Sequence, residues 1–131
     1  MDITHRAYAD VVVVAPAGRL DHTVAEEFER SLLPLLDPAA GSGAGVVLDF
    51  ARVEYISSVG LRVLMIASKE MRKHGARIIL ASPQPTVTEI LSISRFDRVL
   101  EIAPSVRKAV GWISQPALAA YEAGPGKSAK P

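Results

Sequence analysis

The sequence predicts a single α/β domain with a mostly parallel central β-sheet, an N-terminal antiparallel strand and about four helices. Short aliphatic runs such as Val11–Val14 and Gly45–Phe50 are apolar on both faces, as expected of strands covered on each side. Segments with apolar residues at helical spacing alternate with these runs, for example Val24–Leu36. Because parallel strands need crossover connections, this alternation favours a parallel sheet.

The elements are predicted in the following order. Strands are expected at residues 3–8, 11–14, 45–50, 77–81 and 99–102, and helices at residues 24–36, 58–74, from 83–85 onward and from Pro104 onward. Pro16–Asp21 is expected to break the second strand, and Gly41–Gly45 to form a flexible loop. Thr23 and Glu26 have the spacing of a capping box.

Composition limits the function classes that this chain can serve. With 131 residues and 49% apolar content, the chain can bury the core of one domain. The 15 basic and 14 acidic residues nearly cancel, so no strong field attracts nucleic acid or an anionic membrane. The absence of cysteine excludes disulfides and thiol catalysis. The N-terminus has no signal-peptide pattern and no apolar run reaches membrane-spanning length, so a cytoplasmic protein is expected.

The end of the chain differs in composition from the rest. Gly124–Pro131 is small, polar and proline-rich, which favours a disordered end. We therefore divide the chain into a domain at residues 1–116 and a C-terminal tail at residues 117–131. The tail contains Gly126-Lys127-Ser128, as a phosphate-binding loop does, but Tyr121 occupies the position of that motif's first glycine. A nucleotide site is therefore not predicted there.

The segment EYISSVGLRVL, residues 54–64, places two hydroxyls where a strand-like run becomes helix-like. It differs from an esterase nucleophile elbow because Ile56 occupies the position of the elbow's first glycine. The triad histidine follows the serine in such enzymes, and here His74 would lie about 24 Å away along the helix. Asp21 and His22 lack a third metal ligand at useful spacing. We therefore expect no enzymatic activity, no metal and no cofactor.

The two serines, Ser57 and Ser58, are suited to capping the helix, since a side-chain oxygen there accepts a free backbone N–H. Capping is compatible with modification. A phosphate at a helix start meets free N–H groups and the positive end of the helix dipole, so it would change surface charge without unfolding the domain. Gly60 has no side chain and would let a partner approach the backbone closely.

Three segments together resemble the STAS domains of bacterial anti-sigma factor antagonists. Gly18–Asp21 is similar to the Gly-x-Leu-Asp that precedes that family's first helix. Val46–Leu61 resembles its buried strand, acidic turn and Asp-Ser-Ser-Gly-Leu helix start. Val87–Ile102 resembles its short helix and returning strand, so the resemblance covers residues 3–115.

The resemblance implies a partner switch controlled by phosphorylation. The unmodified protein would bind an anti-sigma factor that is also an ATP-dependent serine kinase, and would be released once phosphorylated. A metal-dependent serine phosphatase would reset it. Carried onto this chain, the acceptor is Ser58, two residues before Gly60, and Asp21 matches the loop aspartate beside it. The partner-binding surface is expected to include Asp21, Thr23, Ser57, Ser58, Gly60 and Arg62.

The chain departs from the family pattern at three places. Ser57 stands where an aspartate is common, which leaves two adjacent hydroxyls and makes Ser57 the second candidate acceptor. Val59 replaces a serine, and Arg95-Phe96 replaces Gly-Leu. Some members of the family do not switch, so the alternative function is an accessory subunit of a membrane transporter, a lipid-transport complex or a stress-sensing scaffold.

Overall fold

The computed structural model describes residues 1–42 and 44–124. Its strands are β1 (Asp2–Tyr8), β2 (Val11–Leu20), β3 (Gly45–Asp49), β4 (Val53–Ile56), β5 (Arg77–Ala81) and β6 (Glu101–Ala103). Its helices are α1 (Ala25–Ser42), α2 (Ser58–Lys73), α3 (Pro85–Ile93), α4 (Val106–Ile113) and α5 (Gln115–Glu122), with a 3₁₀ turn at Phe96–Arg98.

The six strands of the described chain form one sheet in the order β1-β2-β3-β5-β6, with β4 beside the far half of β2. Only the β1–β2 hairpin is antiparallel, and the other four pairings are parallel. Each parallel connection passes through a helix or a loop, as parallel pairing requires. The predicted α/β class, with a mostly parallel sheet and an N-terminal antiparallel strand, is confirmed.

Alternate residues of the central strands face two separate cores. Val14, Leu48 and Leu80 belong to the core beneath α1, α2 and α3, whereas Val47 and Ile79 belong to the core beneath α4 and α5. Residues in neighbouring positions of one strand therefore bury against different helices. This two-sided covering explains why the central strands are apolar without alternation.

Strand β2 does not end at Pro16, and the predicted break at Pro16–Asp21 is wrong. Residues 11–14 pair with β3, and Gly18 to Leu20 pair with β4. Pro16 lies between these two partners, so its missing N–H removes no bond from either parallel ladder. Gly18, with a φ of 93°, accommodates the shift of register where the second ladder begins. Because β2 changes its parallel partner from β3 to β4 near Pro16, it can continue through this proline as one long strand.

Helix α1 departs from the predictions at both ends. It runs on to Ser42, and β3 begins at Gly45, so the loop predicted at Gly41–Gly45 is wrong at both of its ends. Residue 43 lies outside the described residues. The helix begins at Ala25, and the Thr23 hydroxyl donates to Asp21 instead of serving as the predicted cap. The carboxylate of Asp21 therefore organises the approach to α1.

The C-terminal part of the chain contains one helix more than predicted. Strand β6 begins two residues late because the 3₁₀ turn occupies Phe96–Arg98, and α4 begins after Ser105, which caps it, not at Pro104. The boundary drawn between residues 116 and 117 falls inside α5, whose Tyr121 packs edge-on against Tyr8 of β1. Of the predicted tail, residues 125–131 lie outside the described residues.

None of the helices described has both the length and the apolar content that a membrane span requires.

Candidate functional site

The parallel pairing of β2 and β4 brings the candidate residues together. Leu20 and Ile56 are opposite each other at the carboxyl ends of these strands, and Ser57 donates its N–H to the Leu20 carbonyl at 2.9 Å. Asp21 and Ser57 are the next residues along the two chains. The loop before α1 and the start of α2 therefore form one surface at this edge of the sheet.

Ser57 is the cap of α2. Its backbone is extended, with φ −88° and ψ 173°, and its Oγ accepts the Gly60 N–H at 3.2 Å. Its carbonyl accepts the Leu61 N–H at 2.9 Å, which begins the helical hydrogen bonding. The side chain is half-buried. The capping interpretation of the sequence is confirmed, and it applies to Ser57.

Ser58 is the first residue of α2, and its side chain is exposed. Val59 follows it and is 42% exposed, which is high for an apolar side chain of this domain. Because the Ser57 side chain already caps α2, the helix does not need a capping hydrogen bond from the Ser58 hydroxyl. An exposed hydroxyl therefore sits beside an exposed apolar residue on the first turn of a helix.

Gly60 is buried and faces the interior of the protein. A Cβ atom at this position would lie 2.9 Å from the Leu20 carbonyl oxygen and 2.8 Å from Cγ1 of Ile56. The expectation that Gly60 opens the surface to a partner is therefore wrong. It allows the first turn of α2 to pack directly onto the ends of β2 and β4, which sets the position of Ser58.

Asp21 holds the opposite side of this surface in place. Its Oδ1 accepts the Thr23 N–H at 3.0 Å and the Thr23 hydroxyl at 2.6 Å. These hydrogen bonds, with smaller contributions from the charges of His22 and Arg19, lower the pKa of Asp21 below its ordinary value of 3.8. Asp21 is therefore ionised at neutral pH, and Thr23 is committed to shaping the loop.

Arg19 was not among the residues predicted for the site. Its guanidinium lies 4.4 Å above the ring of Tyr55, its cross-strand neighbour, and its Nε lies 3.9 Å from Oδ2 of Asp21. The contact depends on the parallel pairing of β2 and β4, which sequence pattern alone does not show. Arg19 remains 59% exposed, so it presents positive charge beside Asp21.

Arg62 is exposed and lies four residues after Ser58, on the same face of α2. It lines a shallow groove of about 170 Å³ together with Val59, His22 and Glu26. The groove runs between the first turns of α1 and α2, next to Ser58. Cationic, anionic and apolar side chains therefore line the groove that begins at the residue after Ser58.

The start of α2 and Arg62 favour negative charge at Ser58. The free N–H groups of the first turn of α2 carry the positive end of the helix dipole, and Arg62 lies one turn further on. The first turn of α2 contains no acidic residue. A phosphate attached to this hydroxyl is therefore compatible with the fold.

Comparisons with known proteins agree with this architecture. The sequence model of the STAS domain matches residues 2–109. A relative from Bordetella bronchiseptica, named "Putative anti-sigma factor antagonist BtrV", is 30% identical over 105 residues, which are 80% of this chain and 88% of the relative.

Two solved structures show the likeness in three dimensions. The crystal structure of TM1081 from Thermotoga maritima, a protein described in the same terms as BtrV, is 25% identical and covers 85% of this chain and 93% of its own, with a TM-score of 0.74. The Bacillus cell fate determinant SpoIIAA in its phosphorylated form is 19% identical and covers 85% of this chain and 98% of its own, with a TM-score of 0.61. The latter likeness shows a shared fold.

Proposed function

Because the chain belongs to the STAS domain family, we propose that it is an anti-sigma factor antagonist controlled by phosphorylation of Ser58. Unmodified, it binds an anti-sigma factor with ATP-dependent serine kinase activity in the cytoplasm, and phosphorylation releases it. A metal-dependent serine phosphatase restores the binding form. In this role the protein is a binding partner and a kinase substrate, not an enzyme, and it contacts no nucleic acid.

One observation carries this proposal: Ser58 is an exposed hydroxyl on a helix start whose capping is supplied by another residue. A kinase can therefore phosphorylate Ser58 without breaking the capping hydrogen bond of α2, which Ser57 makes. The hydroxyl of Ser57 is half-buried and accepts the Gly60 N–H, so its modification would disturb the cap. This difference favours Ser58 over Ser57 as the acceptor.

The docking surface in this proposal comprises the first turn of α2 and the loop before α1. Ser58, Val59 and Arg62 supply exposed contacts from α2, and Asp21 supplies a fixed negative charge from the loop. Thr23 and Ser57 keep the loop and the helix start in place through their hydrogen bonds. Gly60 contributes to this surface indirectly, because its missing side chain sets how closely the first turn of α2 approaches β2.

The switch works through charge and volume. A phosphate adds about −2 charge to a hydroxyl that was neutral, and burying that charge against a closely fitted partner requires its desolvation. The interaction with the helix start stabilises the phosphorylated protein itself but does not remove the desolvation cost at the interface. A loss of about 3 kcal/mol in binding free energy weakens the complex about a hundredfold.

The relatives support this choice within the family. BtrV carries the name of an anti-sigma factor antagonist at 30% identity over most of both chains. SpoIIAA, which has a similar fold, has been observed in a phosphorylated form. The assignment to Ser58 rests on the local geometry of the start of α2.

Affinity capture from the native host tests the proposal, with wild type, Ser58→Ala and Ser58→Glu as baits and mass spectrometry of the captured proteins. We expect wild type and Ser58→Ala to retain a small ATPase-type kinase and Ser58→Glu to lose it. Ser92→Glu is the matched control, because it adds the same charge to an exposed serine of α3. It should bind as wild type does.

Incubation of the captured kinase with the purified protein and ATP then identifies the acceptor by phosphopeptide mapping. Modification should appear at Ser58 and vanish in Ser58→Ala, while Ser57→Ala should still be modified. Equal capture of transporter or scaffold subunits by all the baits would overturn the switch and support the alternative of an accessory subunit.

A further inference from the structure

Strand β1 forms an open edge of the sheet. It ends the strand order and pairs on one side with β2, and no second strand of the described chain pairs with it. Residues 4–7 are exposed along this edge. A seven-residue edge strand offers unpaired backbone groups to another strand, and most proteins protect such edges from pairing.

The hairpin geometry indicates which backbone groups of β1 point outward. A two-residue turn joins Tyr8 to Val11, and pairs that close such turns exchange both hydrogen bonds. Hydrogen-bonded and non-hydrogen-bonded pairs alternate from there, so the N–H and C=O groups of Ile3, His5 and Ala7 point away from β2. Pro16 opposite Ile3 agrees with this alternation, since a proline has no N–H to donate across that pair.

The side chains along this edge have complementary charges. Asp2 and Arg6 are four residues apart in a strand, so they lie on the same face of the sheet, and both are exposed. Arg6 makes no ion pair with the described residues, and Asp2 makes only an exposed contact with Arg52 at 3.7 Å. An edge protected against pairing usually carries charged side chains, a proline, a bulge or an inward-pointing charge, and like charges would also repel a second copy of the same strand. This edge carries one charge of each sign.

We propose that β1 pairs antiparallel with β1 of a second copy of this chain, about a two-fold axis at Thr4. In this register Asp2 lies opposite Arg6 of the second copy, and symmetry repeats the pair. Both ion pairs occupy non-hydrogen-bonded positions, where cross-strand side chains are closest. The outward groups of Ile3 meet those of His5 of the second copy, which completes the ladder.

Neighbouring registers are less favourable. Antiparallel pairing must match outward groups with outward groups, and an axis at any residue of β1 satisfies this condition. The registers nearest to Thr4 have the axis at Ile3, His5 or Arg6. An axis at His5 places Arg6 opposite Thr4, an axis at Ile3 places Asp2 opposite Thr4, and both registers leave the charges unpaired. An axis at Arg6 places two arginines opposite each other, which is repulsive. Charge pairing therefore selects the axis at Thr4.

The dimer would be weak and concentration-dependent, because pairing of one edge strand buries less area than a stable interface does. It would join two sheets side by side and present two Ser58 surfaces. Two docking surfaces allow a dimeric partner to be bound twice, which raises the effective affinity. The pairing does not depend on Ser58, so it can hold or fail independently of the proposed switch.

Cysteine cross-linking tests the register, and the natural chain has no cysteine to interfere. In Thr4→Cys the two thiols face each other across the axis within disulfide range, so mild oxidation should give a covalent dimer on a denaturing gel. His5→Cys is the control, because its thiols lie diagonally across the interface and should cross-link much less. Preferential cross-linking of His5→Cys would overturn the register.

Charge reversal tests the energetics by sedimentation velocity over a concentration series. Wild type should dimerise reversibly, and Asp2→Arg or Arg6→Asp should weaken dimerisation at least about tenfold, because each creates two like-charge pairs. The double variant with both substitutions should restore wild-type dimerisation. A wild type that is monomeric at every concentration, or a dimer unaffected by both single reversals, would overturn the proposal. Circular dichroism of each variant confirms folding.

Discussion

The serine that caps α2 and the serine that caps α5 have the same role in their helices but different surroundings. Ser57 accepts the Gly60 N–H at 3.2 Å and is followed by the exposed Ser58. Ser114 accepts the Ala117 N–H at 3.1 Å, is only 8% exposed and also donates to Asp10 at 2.6 Å. The start of α5 is hydrogen-bonded to Asp10 in the turn of the β1–β2 hairpin. At the start of α2, by contrast, Ser58 is exposed to solvent.

This difference separates a structural helix start from a candidate regulatory one. A buried hydroxyl with two partners cannot be modified without local unfolding, because both interactions must break. An exposed hydroxyl next to a satisfied cap can be modified at little cost to the fold. The sequence motif of a serine at a helix start is common to both sites, so the environment decides which one can act as a switch.

The largest expected loss of stability within this comparison is at Ser114. Ser114→Ala removes a helix cap and a part-buried hydrogen bond to a carboxylate, which should lower the free energy of unfolding by about 2–3 kcal/mol. Urea denaturation followed by circular dichroism measures it. Ser105→Ala, which removes the cap of α4 but no hydrogen bond to a carboxylate, should cost about 1 kcal/mol. Equal losses at the two positions would contradict the role assigned to Asp10.

Gly60→Ala should destabilise the start of α2. The new methyl group would meet the Leu20 carbonyl oxygen and Ile56, and such overpacking exceeds the gain in helix preference, so we expect a net loss of about 1–2 kcal/mol. Thermal unfolding of the purified variant measures this loss. Val59→Ala, a change on the exposed side of the same turn, should stay within about 0.5 kcal/mol of wild type. A stabilised Gly60→Ala would show that α2 does not pack onto β2 as described.

A smaller difference should separate the two adjacent serines. Ser57→Ala loses the cap of α2 and should cost about 1 kcal/mol, whereas Ser58→Ala should change the free energy of unfolding by less than about 0.5 kcal/mol. Parallel urea titrations of both variants provide the comparison. If Ser58→Ala were the more damaging change, Ser58 would be the structural residue and the assignment of the acceptor would reverse.

The smallest effect concerns the pH dependence of the loop before α1. Hydrogen bonds from Thr23 lower the pKa of Asp21 in the folded state, so the stabilising contribution of this carboxylate is present above the unfolded-state pKa and is lost as pH falls through the lower folded value. Carboxyl titration by NMR should find the Asp21 pKa below 3.8. Thr23→Val removes the hydroxyl donor and should raise it toward that value. An unchanged pKa in the variant would assign the shift to the backbone N–H of residue 23 and to the neighbouring charges instead.

The candidate site could be located from the sequence because its signals are local. A strand-like run, two serines, a glycine and a helical stripe occur within residues 54–64, and Gly18–Asp21 marks the loop beside it. Such short-range patterns depend on backbone propensity and periodicity, which neighbouring residues largely determine. The role of Gly60 does not follow from these local patterns, since whether a missing side chain faces a partner or the protein interior depends on packing.

Other features could not be read from the sequence because they depend on pairing between distant segments. Pro16 indicates a break by its own chemistry, and only the change of partner from β3 to β4 makes it harmless. Arg19 meets Tyr55 only because their strands are parallel neighbours in this register. Helix α5 has a weak apolar pattern, and its burial of Ala117 depends on the hairpin at the other end of the chain.

By itself, the sequence determined the α/β class, most of the elements and the position of the serine-rich helix start, since hydrophobic periodicity and turn residues act over a few neighbours. The tertiary structure decided which serine is the cap, which stays exposed, and what lies beside them. Those properties are set by contacts between residues far apart in the chain, and periodicity within one segment contains no information about its neighbours in space.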